Sequence, residues 1–168
     1  NVAATGTMTN AADKNTGVGA WVLNDLTSGN SNTGIGYDTL AKLTTGIENV
    51  AVGSTAADAI TIGRYHVALG VNALGAETIG DKSIAIGNHA LGLQVSGSDN
   101  AIAGNIGIGY DAGYYNVTGT NNTYVGYKAG VGASGQSNSG NTGVGKDALL
   151  AITDGTNNVA VGIDAGTA

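Results

Sequence analysis

Two histidines, His66 and His89, are the only imidazoles in a chain without cysteine, so proton transfer near neutral pH and soft-metal ligation would rest on them. Four aspartates, Asp38, Asp111, Asp147 and Asp164, form a second candidate set, because two carboxylates flanking a glycosidic bond can hydrolyse it. The segment from Gly107 to Gly113, GIGYDAG, has the outline of a glycine loop that cradles phosphate. Finally, five of the seven tyrosines crowd between Tyr110 and Tyr127. Tyrosine has an apolar face and a hydroxyl tip that suit sugar rings and protein surfaces alike.

What positions these residues is a repeat. The phrase NVAVG at Asn49–Gly53 returns in related form along the chain, and its closing glycines are Gly19, Gly36, Gly53, Gly70, Gly87, Gly109, Gly126, Gly145 and Gly162, spaced 17, 17, 17, 17, 22, 17, 19 and 17 residues apart. Four residues before the glycine stands Asn, replaced by His66 and Ser83 in two copies, and three after it stands a small residue, most often Ala. A second glycine, as at Gly29, Gly46, Gly63, Gly80, Gly119 and Gly155, closes many copies seven residues before the next. A period this short holds two strands of about five residues and two turns, with no room for a helix. The expected fold is all-β: a parallel β-roll, or β-solenoid, of about nine coils of 17 residues, in one domain over 15–168 behind a connector or cap at 1–14. Coils stacked at about 4.8 Å make a rod roughly 40 Å long in which each coil touches only its neighbours.

Within this frame the catalytic motifs lose their meaning. The glycines of GIGYDAG stand in the phase they hold in every other coil, and no helix pattern follows. His66 and His89 fall in different columns of different coils, so no Ser-His-Asp arrangement is available. Asp38, Asp111, Asp147 and Asp164 share one column, but Lys128 stands between Asp111 and Asp147, which makes a surface charge ladder the better reading. The sequence therefore predicts no enzyme, no cofactor and no metal site.

The columns also predict packing. Asn32, Asn49, Asn122, Asn141 and Asn158 read as a ladder of side-chain amides bonded from coil to coil, with His66 in one slot. The residues one and three before the glycine are branched or aliphatic, such as Val50 with Val52 and Ile84 with Ile86, and share one strand face, which is expected to be core. Between them lies a column of Gly and Ala, broken only by Tyr124. Small residues in one column admit another backbone, which predicts a homo-oligomer, most simply a parallel trimer about the rod axis, with Tyr124 filling the contact.

Composition narrows the function. Thirty glycines, no proline, no phenylalanine and one tryptophan leave little for an ordinary core. A net charge of −6 without a basic stripe argues against nucleic acid, and no apolar run is long enough to insert directly into a membrane. The first residue is Asn1, which fits a piece of a longer protein.

The phrases Asn49-Val50-Ala51-Val52-Gly53 and Ser83-Ile84-Ala85-Ile86-Gly87 resemble the head repeats of YadA-like trimeric autotransporter adhesins, and NTGIGYDTLAKLTTG, from Asn32 to Gly46, resembles repeats of phage tail fibres and related bacterial surface fibres. The resemblance spans residues 15 to 166. It implies a left-handed, homotrimeric β-roll, extracellular on a bacterial surface or a virion, that works in attachment.

Binding residues concentrate where loops leave a rigid scaffold. Two coils are longer than the others, one by five residues within Ser96–Gly109 and one by two within Gly132–Asn141. The first carries Ser98 and Asp99, and the tyrosines lie between the two irregularities. Tyr110, Tyr114, Tyr115, Tyr127, Ser98 and Asp99 are therefore the expected contacts for a cell-surface glycan or protein receptor. Tyr110 and Tyr127 share a column and are also expected to stack. Two alternatives remain: a passive spacer that carries a separate tip, and an ice-binding solenoid through the column Thr27, Thr44, Thr61 and Thr78.

Overall fold

The computed structural model describes residues 12–135 and 137–167, so most of the expected connector at 1–14 lies outside the described residues. Among them the extended segments are β1 (Thr16–Val18), β2 (Thr33–Ile35), β3 (Val50–Val52), β4 (Val67–Leu69), β5 (Ile84–Ile86), β6 (Ile106–Ile108), β7 (Thr123–Val125), β8 (Thr142–Val144) and β9 (Val159–Val161). Each pairs in parallel with the next, giving one nine-stranded sheet in sequence order with the Gly/Ala column in register throughout. This is an all-β parallel solenoid of nine turns, with no helix among the described residues; coil n below is the turn that carries strand βn.

The expected pair of five-residue strands per coil is corrected to one strand of three, because the backbone leaves the extended region at regular positions. The closing glycines, which end the strands, have φ between +130° and +142°. The second and fourth residues after each of them, and the fifth before it, are left-handed, as Trp21, Leu23 and Ser31 are. Outside the strands, among the described residues, only the isolated bridges Arg64↔Asp81 and Asp81↔Ile102 continue the pairing. Left-handed backbone costs a residue with a Cβ about 1 kcal/mol or more, least for Asn. Bonds between coils hold it there, such as Glu48 N–H to the Asn30 carbonyl at 3.1 Å. Asn121 and Asn157 already occupy Glu48's column. Glu48→Asn should therefore raise stability by up to about 1 kcal/mol per chain, read as a higher thermal midpoint; an unchanged or lower midpoint would contradict this account of the corner.

The sheet faces are the reverse of those expected. Ala51, Ala68 and Ala85 are fully buried, whereas Val18, Ile35, Val50 and Val52 are exposed and Ile86 is half-buried. Val52 and Ile86 are thus surface residues of the single chain, and the Gly/Ala column is its interior and not the contact with another copy. The reason is steric. The core is filled from the opposite wall by Val22, Leu23, Leu26, Leu40, Leu43, Ile60, Leu74 and Leu91. These side chains reach so close to the strand that a Cβ at Gly34 would lie 2.8 Å from Val22 Cγ1, and one at Gly107 would lie 2.8 Å from Leu91 Cγ.

Tyr124 is also internal, which corrects its expected place in an intermolecular contact. It is completely buried, and its hydroxyl donates to Asn138 Oδ1. Its ring takes the volume that leucines fill in other coils: Gly113 and Gly130 stand where Leu91 and Leu149 do, and a Cβ at Gly130 would lie 2.2 Å from Tyr124 Cδ1.

The Asn column is a continuous hydrogen-bonded ladder wherever Asn occupies it. Asn49 donates from Nδ2 and from its backbone N–H to Asn32 Oδ1, each at 3.0 Å, and Nδ2 also donates to the Gly63 carbonyl at 2.8 Å. Asn32, Asn122, Asn141 and Asn158 donate to the preceding Asn in the same way. At His66 the ring substitutes for the amide: Nε2–H donates to the Gly80 carbonyl at 2.6 Å and Nδ1 accepts from Ser83 N–H at 3.2 Å. Ser83 is too short to continue, and the internal Gln94 bridges the gap, donating from Nε2 to Ser83 Oγ and accepting from Asn105 Nδ2.

Gln94 in turn touches a buried carboxylate. The interior column Leu26, Leu43, Ile60 continues with Glu77, Gln94 and Asn116, all fully or almost fully buried. Glu77 accepts from the N–H groups of Thr78, Ile79, Gly80 and Ser96, from Gln94 Nε2 and from Ser96 Oγ at 2.9 to 3.2 Å. Burial alone would raise its pKa, but the bonds from Gln94, Gly80 and Ser96 outweigh burial and hold the carboxyl below its ordinary value.

Candidate receptor-binding surface

Tyr110 and Tyr127 follow the closing glycines of coils 6 and 7, so the sheet register places them one above the other. Their rings stack with centroids 5.4 Å apart and planes within 13°, and both are nearly half exposed. Lys128 Nζ lies 5.5 Å from the Tyr127 ring centre. Tyr114 and Tyr115 turn the next corner and meet edge to face at 4.8 Å; both are half-buried. Tyr114 lies over Gly92 of the preceding coil, where a Cβ would come within 2.7 Å of its ring. His89 joins the two pairs, with ring centres 6.5 Å from Tyr110 and 5.7 Å from Tyr114. The tyrosines thus form one aromatic strip that crosses coils 5 to 7.

Ser98 and Asp99 do not join that strip. Hydrogen bonds fix the position of the five extra residues: Ser96 N–H still reaches Glu77, and by Ala103 the chain is back on the ladder with its N–H on the Asp81 carbonyl, so the excursion lies between them. A turn from Ser98 to Ala101 closes it. Its tip points back toward the start of the rod, where Asp99 Oδ1 accepts from Arg64 Nη2 at 3.1 Å, 35 residues away in coil 4. Ser98 is exposed on the same excursion. The Arg64 partnership escaped the sequence reading, because nothing in a 17-residue period signals a contact that skips a coil.

The aspartate column is not a row of paired carboxylates. Asp111 lies 3.4 Å from His89 Nδ1, and Asp147 bonds Lys146. Among the described residues no group of His, Cys, Asp and Glu is arranged to hold a metal ion, and no helix is long and apolar enough to cross a membrane. The hydroxyls of Thr27, Thr44 and Thr61 donate to the carbonyls of Thr44, Thr61 and Thr78 at 3.0, 3.0 and 3.1 Å, so they stitch coils together and are not free to match a lattice.

Comparison with known proteins finds no family model, no curated protein and no solved structure that matches this chain.

Proposed function

We propose that this chain is a segment of a homotrimeric attachment fibre, a left-handed β-roll exposed outside a bacterial cell or on a virion that meets a surface glycan or protein. The observation that carries this reading is the outward face of the nine-stranded sheet. Val18, Ile35, Val50, Val52, Val67, Leu69, Ile84, Ile86, Ile106 and Ile108 project from it, with Val125, Val144, Val159 and Val161 continuing the row. Eight spacings of about 4.8 Å make a stripe roughly 40 Å long. Soluble monomers rarely expose so continuous an apolar surface, and burial between copies removes it from water. Three copies around one axis is the arrangement of the YadA-like heads that the repeat phrase resembles, and a rod with a repetitive body and irregular aromatic coils suits attachment better than catalysis.

Ile86→Glu tests the assembly. The side chain points away from the chain's own core, so the monomer's fold should be retained while a charge enters each contact, and light scattering should show a trimer for the parent chain and dissociation for the variant. An oligomer that persists unchanged would mean that the sheet face is not the contact; a monomeric parent chain would overturn the trimer itself. Adhesion of the parent trimer to host or prey cells, measured against a Tyr114→Ala/Tyr115→Ala variant, tests the attachment role.

A further inference from the structure

We propose that the groove under the Ser96–Ala103 excursion is a binding site for a neutral sugar ring, with Asp99 and Arg64 as its polar contacts; this rests on the attachment reading and specifies its ligand. The groove is about 300 Å³ and is lined by Thr45, Ile47, Ile62, Arg64 and Asp99. That volume lies at the lower end of small-ligand sites and suits one or two rings. Asp99 is the excursion's contribution to the lining, and the other four residues come from regular coils.

The chemistry of the lining selects the ligand. Arg64 bonds Asp99 through Nη2 alone, and a guanidinium carries five N–H donors while a carboxylate offers about four acceptor positions, so the pair retains capacity on both sides. Both side chains are partly exposed, at 30% and 51%. The pair presents a donor and an acceptor side by side at 3.1 Å. Vicinal hydroxyls of a pyranose have a similar spacing, and each can both donate and accept, so one hydroxyl bonds the carboxylate while its neighbour accepts from the guanidinium. Ile47 and Ile62 give the lining an apolar part that suits the C–H face of the ring, and Thr45 adds a hydroxyl. Asp99 already matches the charge of Arg64, so the pair is neutral as a whole, and in a chain of net charge −6 the groove favours a neutral diol over an anionic sugar.

The test is titration of the whole chain, in its native oligomer, with methyl glycosides of glucose, galactose and mannose and with N-acetylneuraminic acid, followed by NMR. At least one neutral hexoside should bind saturably and weakly, with useful affinity arising from several copies. Asp99→Asn and Arg64→Gln should each weaken it at least tenfold. Thr45→Tyr, which narrows the groove while keeping both residues of the ion pair, should do the same, so a loop released by the first two variants cannot mimic the result. Failure of every hexoside to bind, preference for the acidic sugar, or parent-like binding by all three variants would overturn the proposal. Cell adhesion that survives these failures would leave the attachment reading intact, and absence of adhesion by the parent trimer would overturn that reading separately.

Discussion

Gly70→Ala is expected to destabilise the rod by on the order of 3 kcal/mol or more per chain, a severe effect for a single added methyl group. The residue has φ +134°, where an L side chain is strained whatever the space around it. Its Cβ would also lie 2.5 Å from the Gly87 carbonyl oxygen and 2.6 Å from its carbon, in the coil stacked directly against it. These are backbone atoms in a rung whose bonds, Gly87 N–H to the Leu69 carbonyl at 2.7 Å among them, fix the coil spacing, so the clash cannot be relieved by rotating a side chain. Strain and clash can be separated. Gly162 has φ +130° but meets nothing nearer than Ala165 Cβ at 4.0 Å, so Gly162→Ala should carry the strain alone, about 1 to 3 kcal/mol. Gly97 has open space around it and no left-handed φ, so Gly97→Ala should be neutral within about 0.5 kcal/mol. Denaturant midpoints of the three variants should fall in that order; equal losses at Gly70 and Gly162 would mean that coil spacing does not depend on a bare glycine.

That glycine column was legible in the sequence, and with it the period, the number of coils and the parallel register. A residue excluded by backbone at 2.5 Å or less admits no substitution, so the constraint prints itself at each turn from Gly19 to Gly145, where the next coil stacks on it. The sheet face was not legible in the same way. Alternation shows that Val50 and Val52 share a face and that Ala51 takes the other, but it does not say which faces inward. The ordinary assumption that larger apolar residues are core failed because the interior is already filled by the leucines of the opposite wall, leaving room for a methyl group only. Tyr124 carried a signal that depended on knowing this: an aromatic in the small column coincides with Gly113 and Gly130 in the leucine column. Of the candidate surface, the stacking of Tyr110 and Tyr127 followed from their shared column. The reach of Asp99 to Arg64 did not, because an excursion from a repeat has no column to obey.

The polar stretch of the interior gives the second large expectation. Glu77→Leu restores the residue type of Leu26 and Leu43 in the same column, yet it should cost on the order of 3 to 5 kcal/mol per chain, since it leaves the N–H groups of Thr78, Ile79, Gly80 and Ser96, together with Gln94 and Ser96 Oγ, without their acceptor. The same carboxylate makes the rod sensitive to acid. Its pKa is lowered in the folded state, so unfolding takes up a proton once the pH drops below its ordinary value of 4.5; the stabilisation is complete above that pH and is lost as pH falls through the folded value. His66 acts earlier and with the same sign. Burial lowers its pKa below 6.5, and its Nδ1 is already an acceptor for Ser83 N–H, so a second ring proton would break that bond and place a charge in the core. Stability from the neutral ring is complete above pH 6.5 and declines below it. The thermal midpoint should therefore fall in two stages on acidification. His66→Asn, which restores the ladder residue, should remove the first stage. The stability gap between the parent chain and Glu77→Gln should close through the second, as protonation of the parent removes the charge that the variant lacks. A first stage that persists in His66→Asn would show that His66 does not govern it, and a gap that does not change with pH would show the same of Glu77 in the second.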